Sequence, residues 1–245
     1  MKSLFYLLLS IVLLFSFSCK LDNYAMPSAA VFGTIADSTG TGVQSDISGS
    51  GVKITYMQQG NYTSPTKQSM GLKGDGTYRN NMMFPGVYNF FIKDANFVNI
   101  DTVKNFVIKN GDNEINYIVQ PYIKLNVSSI TQVGTMVIAT FTMKTLHNNL
   151  TRVNQVQLFS HIDPVVSFGS NLVKSAALTL NRVVGATEVF TLQIDLSQQS
   201  NNYTKYPTAT KFWFRVGALV VTADASAGSV PKWNYAAPVQ LALTL

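Results

Sequence analysis

Two histidines (His147 and His161), one cysteine (Cys19) and twelve carboxylates are the side chains in this 245-residue chain that most often ligate metals or carry acid–base work. The histidines are too widely spaced for a compact ligand set and Cys19 ends an apolar leader, so a zinc site lacks donors. Neither a Gly-x-Ser-x-Gly elbow nor a Gly-x-x-x-x-Gly-Lys phosphate loop occurs. Glycoside hydrolysis needs two carboxylates flanking the scissile bond. The two glutamates, Glu114 and Glu188, lie in strand-like alternation, and nothing in the sequence brings the loop residues Asp163 and Asp224 together. Asn110–Glu114 offers hard oxygen ligands without calcium-loop spacing and reads as a hairpin turn. The expectation is a non-enzyme with no metal and no cofactor.

Aromatic side chains give the positive reading. A sugar presents a flat apolar face and a rim of hydroxyls, so an exposed Trp or Tyr flanked by amides can hold it. Trp233-Asn234-Tyr235 lies beside a loop, Tyr203 and Tyr206 fall in an Asn/Gln-rich loop, and Tyr62 follows Asn61. Arg215 could bond a sugar's rim, and Tyr78-Arg79-Asn80 is a weaker cluster. The expected ligand site is Trp233, Asn234, Tyr235, Arg215, Tyr203 and Tyr206. Trp213 and Arg215 share one strand face and Phe212 and Phe214 the other, so one of these faces must be core. Charged residues are only 12% of the chain, against roughly 25% in a typical protein. The net charge is +6 with its basic residues scattered, which argues against nucleic acid, while abundant aromatics and amides with few charges point to a neutral glycan.

These side chains must be positioned by strands. Val52, Ile54 and Tyr56, then Tyr88, Phe90 and Ile92, then Ile115, Tyr117 and Val119 alternate with their neighbours at the strand period. Turn signals such as Gly74-Asp75-Gly76 and Pro85-Gly86 separate them. After Pro121 the rhythm restarts over Ile123–Gln132, Thr135–Lys144, Val153–Ser160, Ser175–Asn181, Glu188–Leu196, Lys211–Thr222 and Val239–Leu245, which suits an immunoglobulin-like or fibronectin-like sandwich. Loops are expected at Gln198–Tyr206 and Asp224–Lys232. The charged start Met1-Lys2, the apolar run Leu4–Phe17 and Ser18 before Cys19 describe a signal peptide ending at a lipid-carrying cysteine. The organisation is thus a leader over 1–18, a lipidated tether over 19–29, and two all-β sandwiches over 30–121 and 122–245.

Three stretches together resemble the DUF3823 lipoprotein family of Bacteroidetes: Leu21-Asp22-Asn23-Tyr24 with Pro27, then Gly74–Tyr88 (GDGTYRNNMMFPGVY), then Arg215-Val216-Gly217-Ala218 followed by Trp233-Asn234-Tyr235. The resemblance implies a prealbumin-like (carboxypeptidase-regulatory-like) first sandwich and an immunoglobulin-like second one. It further implies an accessory lipoprotein of the outer membrane, at the cell surface rather than the periplasmic face, beside SusC/SusD-like importers and their glycans. The competing expectation is a structural or assembly lipoprotein whose sandwiches bind other proteins.

Overall fold

The computed structural model describes residues 25–48, 51–60, 64–147, 151–222 and 232–244. The leader, Cys19, Asn61, Tyr62 and Asp224 lie outside the described residues. The first sandwich has eight strands: β1 (Ala29–Ala36), β2 (Lys53–Gln59), β3 (Gln68–Gly71), β4 (Thr77–Met83), β5 (Gly86–Phe91), β6 (Val103–Ile108), β7 (Gly111–Glu114) and β8 (Tyr117–Ile118). One sheet runs β4-β1-β7 with β8 also on β1, and the other runs β3-β2-β5-β6. Alternation sends Ile35, Ile54, Tyr78, Tyr88 and Phe90 into one core. A continuous strand through Ile115, Tyr117 and Val119 was the expectation. The chain instead breaks at Asn116, whose side-chain oxygen accepts the Thr34 N–H at 2.8 Å while β1 passes from pairing with β7 to pairing with β8. Tyr78, Arg79 and Asn80 are structural: Tyr78 donates to the Ile115 carbonyl, Arg79 lies over the Phe32 ring, and Asn80 donates to the Tyr56 hydroxyl.

The second sandwich follows with β9 (Ile123–Val133), β10 (Met136–Thr145), β11 (Thr151–His161), β12 (Val173–Lys174), β13 (Leu178–Arg182), β14 (Val189–Asp195), α1 (Leu196–Tyr203), β15 (Lys211–Thr222), β16 (Lys232–Tyr235) and β17 (Val239–Ala242). A three-stranded sheet, β14-β10-β9, packs on a larger one ordered β12-β11-β15-β16, with β13 on β11 and β17 on β15. Phe141, Phe190, Phe212, Phe214 and Val216 fill the space between them. Two local expectations fail. The Asn/Gln-rich loop begins as α1, which Asp195 caps by accepting the Ser197 N–H at 3.0 Å and its hydroxyl at 2.7 Å. Ser and Asn, which make up half of α1, rank low as helix formers and mask it. The second is β16, read as the flank of a loop, which pairs with β15 from Gly217↔Tyr235 to Val220↔Lys232.

The sandwiches meet through side chains as well as through the chain. Lys124 at the start of β9 reaches back to Asp37, just past β1, at 2.8 Å. Burial would raise the Asp37 pKa, but the bonds from Lys124, Thr39 and Thr41 outweigh it and hold it at about 2. A depressed carboxylate stabilises the fold above its unfolded pKa near 4 and loses that contribution as pH falls towards 2. The stability gap between the parent chain and Asp37→Asn, read from urea midpoints, is therefore expected to be widest above about pH 4 and to shrink towards about pH 2. A gap that does not change with pH would show that Asp37 contributes no charge-dependent stability.

Candidate functional site

The outer face of the larger second-domain sheet carries the residues that sequence reasoning grouped. Phe212, Phe214 and Val216 of β15 point into the sandwich core, so Trp213, Arg215 and Gly217 point outward. This outward face is covered too. The segment between β11 and β12 folds over it and buries Val166 and Ser167. Phe159, Val166 and Tyr235 form a small second core there, with Trp213 and Trp233 packed against it. Both faces of the strand are therefore inside the protein, and the choice of one core face had no single answer. Gly217 makes the second core possible: a Cβ there would sit 2.8 Å from the Tyr235 ring and 2.9 Å from Phe159.

Arg215 reaches from this face into the first sandwich and is only 2% exposed. Its Nε donates to Ala236 O at 2.7 Å, Nη1 to Ser45 O and Val166 O at 3.1 Å each, and Nη2 to Gln44 Oε1 at 2.9 Å and Gly74 O at 3.1 Å. All five guanidinium donors are matched by acceptors from both sandwiches. The guanidinium also lies 4.6 Å from the Tyr235 ring centroid. Burial pulls its pKa down to about 10, against the pull of Tyr235 and Asp46, and leaves it charged at neutral pH.

Asp46 makes the return journey from the first sandwich. It accepts from the Ser167 hydroxyl at 2.8 Å, the Gly169 N–H at 3.2 Å and the Tyr235 hydroxyl at 3.2 Å. Burial opposes its charge, but these bonds and those from Ser48 hold its pKa below the usual carboxylate value. Tyr235 is pushed up by burial and by Asp46, so it stays a neutral donor, and its oxygen accepts the Phe168 N–H at 3.2 Å. Gly169 is required by the approach of the two domains, since a Cβ there would meet Ser48 Oγ at 2.2 Å.

The structure thus brings Arg215, Trp233, Asn234 and Tyr235 together, but at the joint between the domains. Arg215, Asn234 and Tyr235 are buried, and none of them faces solvent as a ligand platform must. Tyr203 is corrected as well: α1 carries it into the second core, edge-on to Phe212 at 4.9 Å. Tyr206 is exposed but stands apart from the cluster. Trp233 is half-buried, stacked on Phe168 at 5.0 Å and edge-on to Phe159 at 5.4 Å, while its carbonyl accepts from Asn96 Nδ2 at 3.3 Å. Sequence reasoning missed Phe168, which is 42% exposed with the Lys174 ammonium 5.3 Å from its ring centroid. It also missed Asp46, because a lone Asp among Ser and Gly carries no periodic signal.

The groups weighed for catalysis have local partners. Glu188 pairs with Arg182, Glu114 accepts from Asn116, Asp163 accepts the Val165 N–H, and His161 accepts the Asp163 N–H. Among the described residues, no three metal-binding side chains converge.

These features define a two-domain, all-β sandwich protein whose second sandwich docks its neighbour on an outer sheet face. The chain belongs to the DUF3823 family: "Protein of unknown function (DUF3823) N-terminal domain" matches residues 29–120 and "Domain of unknown function (DUF3823_C)" matches residues 123–240. It is similar to the crystal structure of a Bacteroides uniformis protein provisionally described as carbohydrate binding. The two are 28% identical over 89% of this chain and 100% of that one, with a TM-score of 0.76. DUF3823 family proteins of Parabacteroides merdae (21% identity, TM-score 0.69) and Bacteroides uniformis (16%, 0.71) cover the same shares and share the fold. No curated protein sequence matches the chain. The C-terminal stretches that carried the resemblance, Arg215–Ala218 and Trp233–Tyr235, contain the residues that build the joint.

Arg215→Ala leaves several buried acceptors unpaired and is expected to cost at least about 3 kcal/mol in urea unfolding. Gly217→Ala, which forces the Tyr235 and Phe159 rings aside, is expected to cost about 1–3 kcal/mol. Losses below about 0.5 kcal/mol in both variants, the range of an ordinary surface change, would show that the joint does not hold the domains.

Proposed function

We propose that the protein is a non-catalytic, lipid-anchored accessory protein of the outer membrane, facing the cell surface, that holds glycan for a SusC/SusD-like importer. The observation that carries the reading is the Phe168–Trp233 pair, two nearly parallel rings (interplanar angle 19°) at the joint, one of them well exposed. Flat aromatic surface beside water suits the C–H face of a sugar. Support also comes from the relative of Bacteroides uniformis described provisionally as carbohydrate binding. The export leader, Cys19 and the family context support anchoring by lipid at the membrane, with no role for nucleic acid. A second reading, an assembly lipoprotein that binds protein partners, is favoured by the enclosure of Arg215, Asn234 and Tyr235 in the joint.

Tryptophan fluorescence titrated with plant and host glycans separates the two. A saturable change with one glycan, weakened about tenfold by Phe168→Ala in a folded protein, is the expected result and corresponds to about 1.4 kcal/mol. A silent panel, with a partner captured from outer membranes by the parent chain, would favour the assembly reading.

A further inference from the structure

Folding gathers four lysines that the sequence scatters. A cleft of about 420 Å³ is lined by Lys53, Lys67, Lys93 and Lys232 around Phe91 and Thr55. Three of the lysines come from the first sandwich and Lys232 opens β16 of the second, so the cleft spans the joint. In the first sandwich Ile54, Phe90 and Ile92 are buried in the core, which turns Lys53, Thr55 and Phe91 outward on the paired strands β2 and β5, with Lys93 just past the end of β5. Thr55 pairs with Phe91 at the end of the β2–β5 ladder; Lys53 starts β2, and Lys93 follows two residues after β5 ends. Lys67 completes the group with its ammonium 5.7 Å from the Phe91 ring centroid.

This concentration of charge is only partly compensated: Asp94 favours the charged Lys232, and Lys67 lies over the Phe91 ring. Like charges gathered in one cleft repel each other. Asp94 is the one carboxylate among the lining residues. No ion pair joins any of the four ammonium groups to a carboxylate among the described residues. In a chain only 12% charged, four lysines around one carboxylate in a single cleft are a concentration that packing does not explain.

We propose that this cleft binds an acidic polysaccharide, with a sugar ring on Phe91 and its carboxylate or sulfate among the four ammonium groups. A ring floor within a cationic rim matches a ligand that is apolar on one face and anionic at its edge. The neutral ligand expected from composition gives way here to a charged one. The proposal rests on the glycan-binding reading but uses residues separate from Phe168 and Trp233.

The test uses the full chain in non-ionic detergent, titrated calorimetrically with polygalacturonate (the carboxylate arm), chondroitin sulfate (the sulfate arm) and dextran (neutral). Binding to at least one acidic polymer and not to dextran is expected, falling steeply between about 0.05 M and about 0.5 M salt. Lys53→Gln/Lys93→Gln is expected to weaken that binding about tenfold or more, and Phe91→Ala to weaken it as well. The lysine variant is expected to keep or raise the parent's melting temperature, because it relieves repulsion. Lys104→Gln/Lys109→Gln, away from the cleft, is expected to leave binding unchanged. Equal binding of acidic and neutral polymers, or full binding by the Lys53/Lys93 variant, would overturn the cleft while leaving glycan binding intact. Capture by phosphatidylglycerol vesicles with no polymer binding would overturn it in favour of a membrane surface.

Discussion

A guanidinium buried between two β-sandwiches sets the terms for the rest of this molecule. An arginine removed from water is expensive unless every donor finds an acceptor and its charge is answered. Arg215 meets the first condition with oxygens from Gln44, Ser45, Gly74, Val166 and Ala236, and the second through the Tyr235 ring and the nearby carboxylate of Asp46. Three of those acceptors belong to the first domain and two to the second, so neither domain alone can satisfy the side chain. Asp46 repeats the logic in the opposite direction, reaching Ser167, Gly169 and Tyr235. Two such reciprocal plugs tie domain orientation to hydrogen-bond satisfaction, because sliding one sandwich on the other would strand charge in a dry place.

This constraint explains residues that otherwise look unrelated. Gly217 exists without a side chain so that Tyr235 can lie across β15 and cover Arg215, and Gly169 lets the second-domain loop touch Ser48. In this chain the stretches around Arg215 and Trp233 are therefore docking segments. Its aromatic and amide composition is also that of a sugar site, which is why the sequence alone pointed to one. Composition reports which contacts a segment can make but not what it contacts.

Legibility follows the same division. Where one sheet face is core and the other is wet, period-two alternation gives the strand, and β9 to β11, β14 and β15 were readable to within a few residues. On β15 both faces are buried, by the sandwich core and by the joint, so alternation between Phe212 and Trp213 could not name a single inside. The failure at α1 is local: its helix is set by the Asp195 cap and by burial of Tyr203, while its two Ser and two Asn residues favour caps and turns. The lysine cleft was invisible for a topological reason. Its four members lie far apart in the chain and become neighbours only through the β2–β5 register and the docking of β16.

One short strand links the joint to both candidate ligand surfaces. Lys232 and Trp233 are successive residues of β16, and successive strand residues face opposite ways, so one strand serves the cationic cleft and the other ring surface at once. Its pairing on β15 is anchored at the Tyr235 end, where Gly217, Arg215 and Asp46 meet. A disturbance at the joint would therefore be felt at Trp233 and Lys232 together, with no ligand contact touched directly. Among the described residues, the ion pairs Asp37–Lys124, Arg79–Asp112 and Arg182–Glu188 are satisfied where they stand. Against that background, a cleft with four lysines and one lining carboxylate, completed by the strand anchored at the joint, is where an external anion has most to offer.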